Sequence, residues 1–299
     1  MKKLSLDEFM RLRRMVFRGA RPLEFVKWRY LFENGDIEDV LFILSSYQNE
    51  DGGFGHELEC NCWNPNSSPY VTDLAIIQLD RIEYSFSDNN HPILRGILRY
   101  LAAGEYLTET GWLGMDCVPS NNDYSHLPWF HNDPQKGSMV DIDITNHLAD
   151  FIIKYADSDS ELYRKAVALK AKHESSAKAG TPDFSSFNPT DPASWQPWLP
   201  MPVTFVGSPD SDYYSALQKT VDLQLDTMVD RLQKTDDFMI MTDEELDEWE
   251  KNNPRLDGKR WGDRYQTIGN YYWGSDSVIQ DIVLLRKFGR LDFQLPIQV

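Results

Sequence analysis

Hydrophobic residues recur along the start of the chain every three or four positions, which is the spacing of amphipathic helices. Ser5 is followed three residues later by Glu8, which is the capping-box pattern, and apolar residues continue at helical spacing to Val16. This pattern predicts a first helix that ends at Gly19.

Later segments show the same kind of pattern. Pro22 predicts the start of a second helix that runs to Gly35, and Asp36 is placed to cap a third. Beyond a glycine-rich loop, Pro69 begins a helix whose apolar arc is so wide that most of its sides should be buried. Further helices are predicted from His91, from Met139 to Ile153, from Leu162 to about Lys172, from Tyr214 to Leu232 and from Gly269 to Phe288.

The helices predict an all-α fold of alternating outer and inner helices. A Gly-Trp-Leu-Gly string at 111–114 resembles the earlier Gly-Gly-Phe-Gly string at 52–55, a repeat of roughly 60 residues, and strand signals are scarce. Such repeats should close into one α/α toroid domain over residues 1–299, with a polar insert at about 236–262. Residues 179–210, rich in Pro, Ser and Asp, read as a long connection or a divergent repeat.

The string YQNEDGGFG at 47–55 carries a family resemblance. It resembles the Gln-to-aromatic repeat of squalene-hopene cyclases and the Gly-Gly-Phe loops of prenyltransferase β subunits, in the terpenoid cyclase and protein prenyltransferase superfamily. The resemblance implies that Gln48 ties down the loop, that its glycines adopt left-handed turns and that Phe54 lies between helices. The block from Arg21 to Ser68 is also similar to small stand-alone bacterial proteins.

The reaction motifs of that superfamily are incomplete in this chain. The string Asp-Ile-Asp-Ile-Thr at 141–145 lacks the third acid of the cyclase motif Asp-x-Asp-Asp-Thr, and Asp-Asp-Phe-Met-Ile at 236–240 lacks the last acid of Asp-Asp-x-x-Asp. No Asp, Cys and His trio follows the glycine-rich loops in the order that the zinc site of prenyltransferases requires. The resemblance therefore implies an architecture and a cavity, not one particular reaction.

Charge and cysteine content narrow the classes of partner. The net charge of −17 disfavours nucleic acid and acidic membranes, and no apolar run is long enough for an integral membrane segment. Three cysteines in an odd set favour free thiols and a cytoplasmic location. His56 with Cys60 and Cys62 is an incomplete set for zinc, so we expect neither a metal nor a cofactor.

Polar residues where the inner helices begin are the candidate site, because helix starts gather unpaired N–H groups and positive charge on one rim of a toroid. Asp141 or Asp143 is the candidate proton donor, and His56 and Glu57 would orient water or substrate. The candidate ligand-binding residues lie on the same rim: Glu59, Trp63, Asn66, Ser67, Asn122, Tyr124, His126, Trp129, Trp273 and Asp276.

Several of these residues have an equally simple structural interpretation, as bridges between loops, helix caps or first-turn charges: His56, Glu57, Asn66, Ser67, Asp141 and Asp143. The leading functional hypothesis is a toroid that binds an apolar, isoprenoid-like small molecule and performs acid–base chemistry on it. One alternative is a carbohydrate-active hydrolase or lyase with Trp129, Trp195, Trp198 and Trp273 as sugar platforms. The other is a non-catalytic protein whose acidic insert binds a protein partner.

Overall fold

The computed structural model describes residues 1–135, 139–176, 188, 202–234 and 263–295. These residues form ten α-helices and isolated β-bridges but no strand, so the all-α prediction is confirmed for this part of the chain. The helices are α1 (Leu6–Gly19), α2 (Pro22–Phe32), α3 (Ile37–Ser45), α4 (Pro69–Arg81), α5 (Pro92–Ala103), α6 (Ile142–Tyr155), α7 (Glu161–Ser176), α8 (Pro202–Val206), α9 (Tyr214–Lys234) and α10 (Asp263–Lys287). Three short 3-10 turns, Met115–Cys117, Pro119–Asp123 and Pro128–Phe130, lie between α5 and α6.

Helix starts match the sequence signals closely. Ser5 and Glu8 form the complete capping box of α1, and the Ser68 hydroxyl accepts a hydrogen bond from the Val71 N–H at the start of α4. Helix ends were less well predicted: α2 stops at Phe32, because Gly35 N–H bonds back to the Arg29 carbonyl instead of extending the helix. α10 begins six residues before the predicted Gly269.

The chain divides into two compact units. The middle unit contains α3 to α7, and the terminal unit contains α1, α2, α8, α9 and α10 from Gln266 onward. The single ring over residues 1–299 stays a prediction, and the polar insert at 236–262 lies outside the described residues.

The terminal unit has an aromatic core with buried charges inside it. The rings of Phe9 and Trp28 lie 5.0 Å apart, and the Trp28 and Phe32 rings 4.9 Å apart. Lys27 pairs with Asp276 at 2.5 Å, and both side chains are buried. The short helix α8, in a stretch for which the sequence predicted little regular structure, is held by a hydrogen bond from its Val203 N–H to Gln224 of α9.

The middle unit is built around α4. Nine residues of this helix are buried, as its wide apolar arc predicted, and they include Thr72, Asp73 and Gln78 as well as aliphatic side chains. α4 contacts α6, and α6 in turn contacts α7. We call the contact between α4 and α6 the α4–α6 seam. It places polar groups of the buried helix α4 against α6.

None of the helices in the described ranges is long and apolar enough to cross a membrane.

Candidate functional site

The glycine-rich loop before α4 is held by the residues that the sequence singled out. The Gln48 amide donates to the carbonyls of Gly52 and Ile93, at 2.9 and 3.1 Å. Gly52 has a φ of +98°, and a Cβ there would lie 2.1 Å from the Gly96 carbonyl oxygen, so only glycine fits. Phe54 is fully buried. These contacts show the stapling roles that were expected of Gln48, the glycine and Phe54.

A second junction of the same design precedes α6. In the first junction, residues 47–72, the Phe54 N–H donates to the Thr72 hydroxyl at 3.1 Å. In the second junction, residues 106–145, the Trp112 N–H donates to the Thr145 hydroxyl at 2.9 Å. Both threonines are fully buried and each is the fourth residue of its helix. The weak repeat in the sequence is therefore a repeat in the structure.

The N-caps of α4 and α6 also correspond. Ser68 caps α4 through the third N–H of the helix, and Asp141 caps α6 in the same way, with the Ile144 N–H bonded to its carboxylate at 3.0 Å. Asp143 lies exposed in the first turn of α6, where an acid is favoured by the helix dipole. The structure thus gives Asp141 a capping role, while the catalytic role of either acid stays a prediction.

The two other predicted catalytic residues lie in a surface turn. His56 and Glu57 have φ angles of 53° and 63°, in the left-handed region, and both are exposed. The His56 ring bonds to the Asn49 side chain at 2.7 Å. They shape the loop, which is the structural role that the sequence left open for them.

Most predicted ligand-binding residues of the first junction are engaged in local contacts. Glu59 is 1% exposed and accepts a hydrogen bond from the Tyr70 hydroxyl at 3.1 Å. Ser67 is buried and donates to Asp51 at 2.8 Å. Trp63 bonds through its backbone to Ser125, and Asn66 is an exposed loop residue whose N–H bonds to Asn64.

The predicted ligand-binding residues of the second junction lie on its outer surface. Asn122 exchanges two hydrogen bonds with Asn132, and Tyr124 and Trp129 are exposed. Nδ1 of His126 lies 2.7 Å from the Tyr124 carbonyl oxygen, and its Nε2 lies 3.3 Å from Nδ1 of His131.

In the terminal unit, Asp276 is buried against Lys27. The side chain of Trp273, like the residues Trp195 and Trp198, lies outside what the structure describes. The sugar platform predicted from these tryptophans is therefore represented by Trp129 alone among the described side chains, and that ring is 43% exposed.

A charged array that the sequence analysis missed crosses the α4–α6 seam. His147 of α6 bonds through Nδ1 to Asp73 at 2.6 Å and through Nε2 to Asp80 at 2.9 Å. The two acids are seven residues apart, two helical turns, so both lie on the face of α4 that meets α6. The available signal was Asp73, a carboxylate on the wide apolar arc of α4, because a buried charge needs a partner.

Electrostatics keeps the imidazole of this array charged. Burial opposes protonation of His147, but its hydrogen bonds to Asp73 and Asp80 and their charges outweigh burial and raise the pKa of His147 to about 10. Burial raises the pKa of Asp73, although its hydrogen bond and ion pair with His147 act in the opposite direction. Near pH 7 the proton stays on His147, so the array is a charged clamp and not a free base.

An apolar cavity of about 190 Å³ opens beside the array, at the C-terminal end of α4. Its hydrophobic wall comes from both helices and the segment after α4, and consists of Ile76, Leu79, Tyr84, Phe86, Phe151 and Tyr155. The rings of Phe86 and Tyr155 meet edge to face at 5.7 Å, and those of Tyr84 and Phe86 at 5.1 Å. We call this cavity the α4–α6 cleft.

The described part of the chain gives no evidence of metal binding or of a reactive thiol. No group of three or more potential ligand side chains converges there. Cys60, Cys62 and Cys117 are buried free thiols. Burial raises the pKa of Cys62 to about 11, which disfavours the reactive thiolate near neutral pH.

Comparison with known proteins identifies no relative of this chain. No protein-family model, curated protein or solved structure matches the chain.

Proposed function

We propose that the chain binds a small, apolar, isoprenoid-like molecule, and that the α4–α6 cleft is where it binds. The observation that carries the proposal is the cleft's wall of aliphatic and aromatic side chains beside a fixed charged array. Ligand sites are typically concave, mostly apolar and bordered by a few oriented polar groups. Aromatic faces such as those of Phe86 and Tyr155 also suit a hydrocarbon or a positively charged intermediate formed from it.

The cleft is well ordered for this purpose. The Asp73–His147–Asp80 clamp ties α4 to α6 on the polar side, and the Tyr155 hydroxyl accepts the Phe86 N–H at 3.2 Å on the apolar side. A preformed cavity of this kind limits the conformational entropy lost on binding.

The catalytic part of the proposal assigns acid–base chemistry to Asp141 or Asp143, the acids that begin α6. Asp141 lies near the same seam: burial is the main cause of the raised pKa of Asp73, and the charge of Asp141 adds to it. His147 is unsuited to act as the base because its pKa is about 10 and both ring nitrogens are bonded to carboxylates. A proton donor is therefore sought among the acids of α6.

The proposal includes the architecture implied by the resemblance, an α/α toroid like those of the terpenoid cyclases and prenyltransferases. The repeated junctions at 47–72 and 106–145 support it, since a toroid of helix pairs repeats one connection before each inner helix.

Native mass spectrometry of the protein purified from its host, with a solvent extract of the same sample, tests the binding proposal. We expect a retained isoprenoid or similar lipid. A retained oligosaccharide would favour the carbohydrate-active alternative. Protein that carries nothing, even after incubation with polyprenyl compounds and oligosaccharides, would contradict ligand binding and favour the partner-binding alternative.

A substrate found in this way allows the catalytic part to be tested. Asp141→Ala and Asp143→Ala should then differ, with one abolishing turnover while circular dichroism shows a folded protein. Full activity in both variants would remove the acid–base mechanism.

A further inference from the structure

One of the cations that line the α4–α6 cleft has no carboxylate partner in the described ranges. Asp80 is paired with His147, and Asp150 is paired with Lys170. Lys154 differs: its ammonium donates to the Ser85 hydroxyl at 2.9 Å and lies 4.9 Å from the centre of the Tyr155 ring, and no carboxylate in the described ranges pairs with it. The acids that line the cleft are therefore already ion-paired, while this cation is not.

A second hydrogen-bond donor lines the same cleft. The Tyr155 hydroxyl oxygen accepts the Phe86 N–H, which leaves the hydroxyl proton to be donated elsewhere. Among the side chains that the structure describes, none accepts this proton. Lys154 and Tyr155 thus offer two hydrogen-bond donors that line an apolar cavity, and the first of them carries a positive charge.

We propose that the ligand of the α4–α6 cleft is a short apolar molecule with one carboxylate, which is bound by Lys154 and Tyr155. The proposal rests on the function proposed above and specifies the ligand's head group. A single negative charge matches the single unpaired ammonium. A doubly charged phosphate would carry a second negative charge for which no further unpaired cation lines the cleft among the described side chains.

The size of the cavity limits the apolar part of the ligand. Its volume of about 190 Å³ is below the roughly 300–1,000 Å³ of sites for drug-sized ligands. An isoprenoid of about ten carbons matches this space better than the long polyenes of larger cavities.

Isothermal titration calorimetry with geranate, geraniol and geranylamine tests the head group, because the three probes share one hydrocarbon body. With the wild-type chain we expect geranate to bind about fivefold tighter than geraniol, the effect of one partly exposed ion pair, and geranylamine to bind least tightly. Lys154→Gln should weaken geranate binding about fivefold, to about the affinity that geraniol has for the wild type. Lys219→Gln, at an exposed lysine of α9, is the matched control and should change neither.

The outcomes separate this inference from the function on which it rests. Equal affinities for geranate and geraniol, or an unchanged preference in Lys154→Gln, would overturn the head group but leave an apolar ligand in place. Tighter binding of geranyl phosphate than of geranate would overturn the choice of a monoanion. Failure of all four probes to bind would count against both the inference and the proposed function.

Discussion

The first and second junctions of the middle unit are two versions of one design, and their differences separate structure from function. Both pass an aromatic N–H to a buried threonine, at Phe54 and Thr72 in one and at Trp112 and Thr145 in the other. In both junctions a side-chain hydroxyl therefore accepts a hydrogen bond from a backbone N–H in the core. Leaving that N–H unpaired there would lower the stability of the fold.

The junctions differ at their side-chain staples and caps. Residue 48 is a glutamine that bonds across to α5, and the matching position of the second junction is Leu107, whose backbone forms the corresponding bridge with Trp112. The cap is Ser68 in the first junction and Asp141 in the second. Because serine is sufficient for capping, the carboxylate of Asp141 can have a second role besides its hydrogen bond to the Ile144 N–H.

The largest effects should come from the two buried aromatics. Phe54→Ala and Trp112→Ala should each lower the free energy of unfolding by about 3–5 kcal/mol, since each leaves a cavity in the core. Urea denaturation measures the loss. Trp129→Ala, at a ring that is 43% exposed, should cost no more than about 0.5 kcal/mol. A small loss at only one of the two buried positions would show that the junctions are not equivalent.

Removing the threonine hydroxyls should have the next largest effect. Thr72→Val and Thr145→Val keep the shape of the side chain but leave the N–H of Phe54 or Trp112 buried without an acceptor. We expect a loss of about 1–3 kcal/mol in each variant. Serine at the same positions retains the hydroxyl and is the control. A valine variant as stable as wild type would contradict the shared design.

The His147 clamp joins α4 to α6 and should make stability depend on pH. The pKa of His147 is about 10 in the folded chain and about 6.5 when unfolded, so its stabilisation is complete below pH 6.5 and is lost as pH rises toward 10. His147→Gln should therefore cost about 1–2 kcal/mol at pH 6, after allowance for partial exposure, and clearly less at pH 10.

Denaturation of the wild type and His147→Gln across this pH range measures the difference. Asp80→Asn, which removes only the more exposed partner, should lower the pKa of His147 without removing the bond to Asp73. A constant difference between wild type and His147→Gln at all pH values would contradict the clamp.

The smallest effect should come from exchanging the caps. Asp141→Ala should cost about 1 kcal/mol because the Ile144 N–H loses its acceptor, while Asp141→Ser should recover most of this by imitating Ser68. Thermal unfolding compares the three chains. If Asp141 is the proton donor, the serine variant will be folded but inactive, and an active serine variant would restrict the residue to capping.

The junctions and the cleft differ in how far their contacts could be predicted from the sequence. The capping box at Ser5, the stapling Gln48 and the repeated glycine loop are local patterns, and the structure confirms each one. Helix ends such as that of α2 depend on one competing hydrogen bond, from Gly35 to Arg29, that spacing does not reveal.

The charged array could not be predicted in the same way. Asp73 and Asp80 read as interruptions of an apolar helix, and His147 as one polar residue of another, because their pairing is a property of how α4 meets α6. The structure brings some of the predicted rim residues together, since the Trp63 N–H bonds to Ser125 next to His126, while others make contacts close in sequence. Ser67, Glu59 and His56 are engaged by neighbours within their own loop, which a one-dimensional pattern cannot distinguish from a shared site.

The central claim is that the α4–α6 cleft binds an apolar molecule, and NMR of the protein with geraniol tests it most directly. We expect nuclear Overhauser effects between the geraniol methyl groups and the rings of Phe86, Phe151 and Tyr155, which line the cleft. Saturable binding without contacts to any of these rings, or no binding at all, would contradict the account.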